Sequence, residues 1–414
     1  MELTTSAFAR LRGLLRDVPR PPGVEPIPLH LGESRLSPPT VDPTPLAEAG
    51  PWGSYPPLGG TEELRQAYLG WLRRRFGLSP RVFDDRMGVE PTPGTKQAVS
   101  VAITLAVLGA RDAGDRPVVV LPNPFYPSYH AATVAVGAQP RFYTLDDPGD
   151  VTPVVAAVRE AGDRTAAVVV CNPGNPRGEV LDEEALRRVA HATAAARALL
   201  IVDECYVDLF TGAPPPGFLP LAAAGAVPVD RFLVLHSLSK RSAAPGLRSG
   251  FAAGDPATVG GYAAYNRACG VSSPLPVCAA AAALWSDEEH VTAARRTLAH
   301  NWDLADAALA PIPGYRRAQA GLFLWLPVTD DEVAARQLWR DQAVSVMPGR
   351  YLGATGPDGV NPGVGYLRVA LGHPTAVMRE ALARLRRVLA PPAAHVSREA
   401  AWSGAPTPVP GRRP

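Results

Sequence analysis

An α/β fold on a mostly parallel sheet is predicted by three observations. Short apolar runs end in polar residues, longer segments of helical periodicity separate them, and the two alternate through the middle of the chain. The runs PVVVLP (117–122), AAVVVCNP (166–173), ALLIVDE (198–204) and RFLVLHS (231–237) are continuously apolar, as strands covered on both faces require. Between them, 182–198 (DEEALRRVAHATAAARA) opens with an acidic turn and continues with apolar positions at helical spacing, so it is predicted to be a crossover helix. From about Glu289 the texture changes to long helices and a few exposed strands (GLFLWLPV, GYLRVALG), a second, smaller α+β domain. The expected organisation is an N-terminal arm joined to the small domain (1–45), a large domain (46–288), the small domain proper (289–390) and a disordered tail (391–414). The tail offers Pro, Ala and charge with little to bury.

Composition narrows the class. The 414 residues can bury a sizeable core, and 46% hydrophobic content with a net charge of +2 describes a soluble globular protein with no basic surplus for nucleic acid. No segment has about 18 consecutive uncharged apolar residues, so no membrane span is expected. The N-terminus lacks a signal-peptide core, and Cys171, Cys205, Cys269 and Cys278 form no CxxC pair. They read as buried thiols of a reducing, cytoplasmic compartment. The scattered histidines give no metal-ligand cluster.

In open α/β sheets ligands sit beyond the carboxyl ends of the strands. There the sequence has Asn123-Pro124-Phe125-Tyr126, Asn172-Pro173-Gly174-Asn175-Pro176, Asp203-Glu204-Cys205-Tyr206 and Ser237-Leu238-Ser239-Lys240. Singly, each has an ordinary structural reading: Asn-Pro as a turn, Asp203 as a cap, the tyrosines as packing aromatics, Lys240 and Arg248 as surface charges. Their joint occurrence says more. After Thr92, the small-residue turn TPGTK opens an apolar helix, whose free N–H groups at Gly94, Thr95 and Lys96 make an anion site. Ser237 and Arg248 are expected to close around the same anion. Neither GxGxxG nor GxxxxGK[ST] occurs. A reactive lysine, a phosphate cradle, an acid for a pyridine nitrogen, an aromatic cover, and Asn and Tyr donors for a phenolate together describe pyridoxal 5'-phosphate (PLP).

These residues resemble the class I/II aminotransferases of PLP fold type I, from about Ile27 to Leu389. NPGNPRG is similar to their NPxNPTG loop, SLSK with Arg248 to their lysine and phosphate motif, and DECY to their strand-end Asp and Tyr. The resemblance implies that Lys240 is the Schiff-base lysine, Asp203 the ring-nitrogen partner and Tyr126 the ring stacker, the three catalytic residues. It implies that Asn175 and Tyr206 bind the ring oxygen, while Gly94, Thr95, Lys96, Ser237, Ser239 and Arg248 surround the phosphate. Arg368, with Gly32 and Asn175, would take a substrate α-carboxylate. Tyr55 would reach the phosphate of a second copy, so a homodimer using amino acid and 2-oxo acid substrates is implied.

Within the family, LHLGES, NPFYPSYHAAT, SLSKRSAAPGLRSGFAAGDP and the VNPG insert are similar to the succinyldiaminopimelate aminotransferases. Such a substrate carries two further carboxylates, for which Arg35, Lys96, Arg241 and Arg350 are the candidate cations. The chain departs from the family pattern at Arg177, Ala243, Ala244, Arg350 and GESRLSPP, none of them an expected cofactor contact.

Overall fold

The computed structural model describes residues 6–36, 42, 44, 53–110, 116–228 and 230–390. The expected tail and the expected boundary at 45/46 lie outside these residues. The strands are β1 (Ile27–Pro28), β2 (Gly88–Thr92), β3 (Val118–Pro122), β4 (Gln139–Tyr143), β5 (Thr165–Cys171), β6 (Leu199–Asp203), β7 (Phe232–Ser237), β8 (Gly250–Gly254), β9 (Phe323–Pro327), β10 (Val344–Ser345), β11 (Met347–Pro348) and β12 (Tyr366–Ala370). Seven of them form the central sheet, in the order β2-β8-β7-β6-β5-β3-β4. The pairings are parallel except for those of β8, which runs antiparallel to β2 and β7. A mostly parallel sheet covered by helices is therefore the architecture.

Alternation along each strand divides the core into two layers. Val119, Leu121, Val169, Ile201, Leu233 and Leu235 point to one side, where the helix Thr95–Gly109 packs. Val120, Val168, Val170, Val202 and Val234 point to the other, toward the helices Glu62–Phe76, Thr152–Ala161 and Glu183–Ala195. The ends of these helices follow from their residues. Thr61 caps Glu62–Phe76 by accepting from the Leu64 N–H, arginines fill its last turn, and Gly77 closes it at φ 70°. The crossover helix starts where expected, with Asp182 as its cap. It ends at Ala195, short of 198, because Arg197 turns at φ 53° into β6.

Two strands expected to be exposed are mostly buried. β9 and β12 pair antiparallel, with β11 on the other side of β12. Leu324, Leu326, Leu367 and Val369 enter the same core as Leu298 and Trp302 of the long helix Glu289–Leu309. On the opposite face Trp325 stacks on Tyr366, and the helix Ala7–Leu15 packs nearby with Met347 and Leu352. Layers on both sides bury strands that the sequence reading placed at the surface. β1 pairs in parallel with β10, tying the N-terminal segment to the later part of the chain. The thiols also differ from expectation: Cys171 and Cys278 are buried, Cys205 is half-buried, and Cys269 is exposed where it follows the surface helix Pro256–Ala268. Among the described residues no helix is long and apolar enough to cross a membrane.

Candidate active site

Because Asp203 ends β6 on the face that carries Leu199 and Ile201, its side chain is delivered to the Thr95–Gly109 side of the sheet. Ser237 ends β7 on that face too. The neighbours Glu204 and His236 fall on the other face, where His236 Nε2 and Glu204 Oε2 lie 2.8 Å apart and Tyr68 meets His236 Nδ1 at 2.8 Å. Parity alone thus separates the cleft acid from a buried structural one.

A cleft of about 380 Å³ opens at these strand ends. Thr95, Lys96, Ser237, Ser239 and Arg248 line one part of it, and Tyr126, Asn175, Asp203, Tyr206 and Lys240 another. Asp203 is buried. Its carboxylate accepts from Tyr129 Oη at 2.6 Å and from the Cys205 N–H at 3.1 Å. Two charge-assisted hydrogen bonds hold its orientation. Tyr126 sits at the start of the helix Pro127–Ala135, edge-on to Tyr129, and burial pushes its phenol pKa up. Asn175 bridges two groups, donating to Tyr206 Oη at 3.1 Å and accepting from Arg368 Nη1 at 3.1 Å.

Lys240 is half-buried and donates to the carbonyl of Gly32. Burial brings its amine down from 10.5 to about 8, and the Arg368 charge adds to that, opposing Glu33 and Asp203. About a tenth of the amine is therefore neutral at pH 7, several hundred times more than for an ordinary lysine. Arg368 is itself buried, with Nη2 on the His30 carbonyl at 3.0 Å and its guanidinium 4.4 Å from the Phe323 ring centre. Burial lowers its pKa to about 10, and Nε has no partner. A buried, unsatisfied guanidinium N–H fits an anionic ligand.

The other part of the cleft combines helix N-terminal backbone with the Ser237 and Arg248 side chains. Gly94 precedes the helix Thr95–Gly109 at φ 99°, and a Cβ there would lie 2.4 Å from Arg248 Nη2. Only glycine leaves room for that guanidinium, which is steadied by the carbonyls of Pro245 (2.7 Å) and Pro93 (3.0 Å). The first-turn N–H groups of Thr95 and Lys96 have no intrahelical acceptor by construction. Ser237 Oγ accepts from the Ser239 N–H at 3.1 Å. This donor set, together with the low-pKa amine and the held carboxylate, fits a phosphate-bearing pyridine aldehyde.

Tyr55 is fully exposed and does not reach the cleft of its own chain. Gly32 lies beside Arg368, its ideal Cβ 4.0 Å from Nη2, but what it gives Lys240 is a carbonyl. Of the candidate distal cations, two are already committed. Arg241 is buried, 2.6 Å from Glu288 and 3.0 Å from Asp208, and Arg350 lies 2.6 to 3.0 Å from Asp330, Asp331 and Glu332. Both are structural, since breaking a buried pair leaves an uncompensated charge. Arg35 pairs with Glu33 at 3.2 Å in the open, and Lys96 lines the cleft. Arg177 donates to the Leu145 carbonyl behind the Asn175 loop.

Sequence reasoning missed Tyr129, Cys205 and Phe323 as neighbours of these groups. Tyr129 carried a signal, lying one helical turn after Tyr126. A second signal was residue count: the chain has two lysines, Lys96 and Lys240, and both line the cleft. Phe323 comes from a distant strand and left none.

The fold and this cleft define a PLP-dependent transferase. Residues 28–385 match the family model for aminotransferase class I and II. The chain belongs to that family, and its cofactor is PLP. It is 33% identical over 360 residues to the 4-dedimethylamino-4-oxo-anhydrotetracycline transaminase OxyQ of Streptomyces rimosus, covering 86% of this chain and 92% of that one. It is 30% identical over 398 residues to the LL-diaminopimelate aminotransferase of Desulforudis audaxviator, covering 92% and 95%. A solved aminotransferase of Neisseria meningitidis superposes with a TM-score of 0.86 at 32% identity, covering 94% and 98%.

Proposed function

We propose that this aminotransferase exchanges an amino group between glutamate or 2-oxoglutarate and an acylated diamino acid, N-succinyl-LL-2,6-diaminopimelate. The observation that carries the transamination reading is one low-pKa amine, Lys240, sharing Asn175 and Tyr206 as neighbours with one unsatisfied guanidinium, Arg368. Bound PLP supplies an electron sink for the carbanion at the substrate Cα. The phosphate would be held by the N–H groups of Thr95 and Lys96, the hydroxyls of Ser237 and Ser239, and Arg248. Asp203, steadied by Tyr129, would keep the ring nitrogen protonated, Tyr126 would cover the ring, and Asn175 and Tyr206 would donate to the ring oxygen. Arg368 forks onto the α-carboxylate and fixes the Cα–H toward Lys240. Neutral Lys240 Nζ then takes the Cα proton and later gives it back, a base matched to neutral pH.

The diaminopimelate assignment is supported by the motif likeness and by the relative from Desulforudis audaxviator, which its name assigns to LL-diaminopimelate. Arg35 and Lys96 are the cations left for distal carboxylates. A second reading is favoured by the loss of Arg241 and Arg350 to structural pairs: a bulky oxo acceptor with no further carboxylates, of the kind named for the Streptomyces rimosus relative. A cytoplasmic homodimer, with Tyr55 reaching the partner's phosphate, belongs to the same proposal.

The test is the visible spectrum of the holoprotein mixed with one amino acid at a time and no oxo acid. Loss of the lysine-bound cofactor band with N-succinyl-LL-2,6-diaminopimelate supports the assignment. Loss with glutamate alone, and none with the succinylated or free diaminopimelate, overturns the assignment and favours the second acceptor class.

A further inference from the structure

The two residues that follow Lys240 are gripped by groups that take no part in the cleft. Lys240 lies in the short helix Leu238–Arg241, which ends at Ser242. Arg241 Nη1 donates to the Leu284 carbonyl at 2.7 Å, and Nη2 to the Asp287 carbonyl at 3.2 Å and to Glu288 at 2.6 Å. These acceptors belong to the C-terminal end of the helix Leu275–Ser286 and the turn after it, where unpaired carbonyls favour a cation. Ser242 is 1% exposed, and its Oγ lies 2.8 Å from His290 Nε2. His290 Nδ1 lies 2.7 Å from Asp287 Oδ2. With the imidazole proton on Nδ1, Ser242 donates to His290 and His290 donates to Asp287.

The next residue shows what this grip opposes. Ala243 has φ 48°, the left-handed region, which is strained for a residue with a Cβ. Such a conformation persists where its surroundings over-determine it. Ser242 and Arg241 supply that on the N-terminal side, through contacts with Leu284, Asp287, Glu288 and His290.

We propose that the Ser242–His290–Asp287 chain, with Arg241, is a positioning device for Lys240: it locks the strained turn after the lysine and so fixes the amine in its half-buried place. His290 is a positioning residue, acting through Ser242, and touches neither substrate nor cofactor. The inference rests on Lys240 as the reactive amine.

The experiment uses the full-length apoprotein. Reductive methylation with ¹³C-formaldehyde labels amines, and the chain has two lysines, so Lys240 is assigned by comparison with Lys240→Met. Its protonation is then titrated by NMR in wild type, Ser242→Ala, His290→Gln, Ala243→Gly and the His290→Gln/Ala243→Gly double variant. The expected result is that Ser242→Ala and His290→Gln raise the Lys240 proton affinity about threefold or more, toward its solvated value. Glycine at 243 is expected to restore much of the shift in the double variant, because it needs no clamp to hold φ 48°. An unchanged midpoint in Ser242→Ala, with only a lower melting temperature, overturns the proposal and leaves a purely structural bond. Should His290→Gln fail to fold, Ser242→Ala, which removes one hydroxyl, decides alone. The two readings fail separately: a Lys240→Met holoprotein that still transaminates sinks the lysine's role, whereas an inactive Lys240→Met with clamp variants unshifted sinks only the clamp.

Discussion

Lys240 carries the strongest expectations at the residue scale. Replacing it with Ala is expected to lower the rate of the amino acid half-reaction by about a thousandfold or more, as loss of a nucleophile does. The single-turnover spectrum with glutamate reads this directly. The same side chain makes apoprotein stability depend on pH. Its folded pKa of about 8 lies below the ordinary 10.5, so the unfolded chain binds more protons between those values. The stability from this site is lowest below pH 8 and rises as pH climbs toward 10.5, by about 1–3 kcal/mol after allowing for partial solvation. From pH 7 to 10 the stability of wild type by urea unfolding should rise relative to that of Lys240→Met, which lacks this titration, while the buried thiols contribute equally to both. Tyr129→Phe removes the 2.6 Å donor to Asp203 and is expected to cost about 1–3 kcal/mol of stability, measured by urea unfolding, with weaker cofactor retention.

At the scale of elements, the turn into the helix Thr95–Gly109 is the sensitive point. Gly94→Ala would drive a methyl group against Arg248 and force φ 99° on a residue with a Cβ. Losing one charge-assisted contact to phosphate corresponds to about a 10- to 100-fold weaker cofactor affinity, which equilibrium titration of the apoprotein with PLP would read. That turn was legible in the sequence, because TPGTK before an apolar helix is local chemistry. So were β3, β5, β6 and β7, whose continuous apolar runs state that both faces are covered. β8 was not legible: GFAAG is small and weakly patterned, and its antiparallel place between β2 and β7 comes from what lies beside it. The depth of β9 and β12 also escaped, since burial of their outer faces depends on Ala7–Leu15, over 300 residues away in sequence.

For the whole molecule, the cleft draws on segments from Gly32 to Arg368, and Tyr55 stands clear of it. A homodimer with shared sites makes a specific expectation. Mixing Tyr55→Ala and Lys240→Ala variants, each weakly active or inactive alone, should restore about a quarter of wild-type activity, as random pairing gives half heterodimers with one intact site each. Activity equal to the mean of the two parents, or a monomeric mass on sedimentation, would exclude the shared site.

Sequence alone was enough to place Asp203 and Ser237 at strand ends and Gly94 at a helix start, because a strand's last residues and a helix's first turn are set by neighbours within a few positions. It carried Asp203, Lys240, Asn175 and the Gly94 turn, and with them the family. Only the tertiary structure decided which charges are free. Arg241 and Arg350 look like their fellow arginines in the sequence, but Asp208, Glu288 and Asp331 neutralise them in the fold. Arg368, by contrast, is buried with no carboxylate partner among the described residues, its guanidinium meeting only Asn175 and the His30 carbonyl. Whether a guanidinium is a ligand site or an internal tie depends on partners from remote segments, and packing alone brings those together.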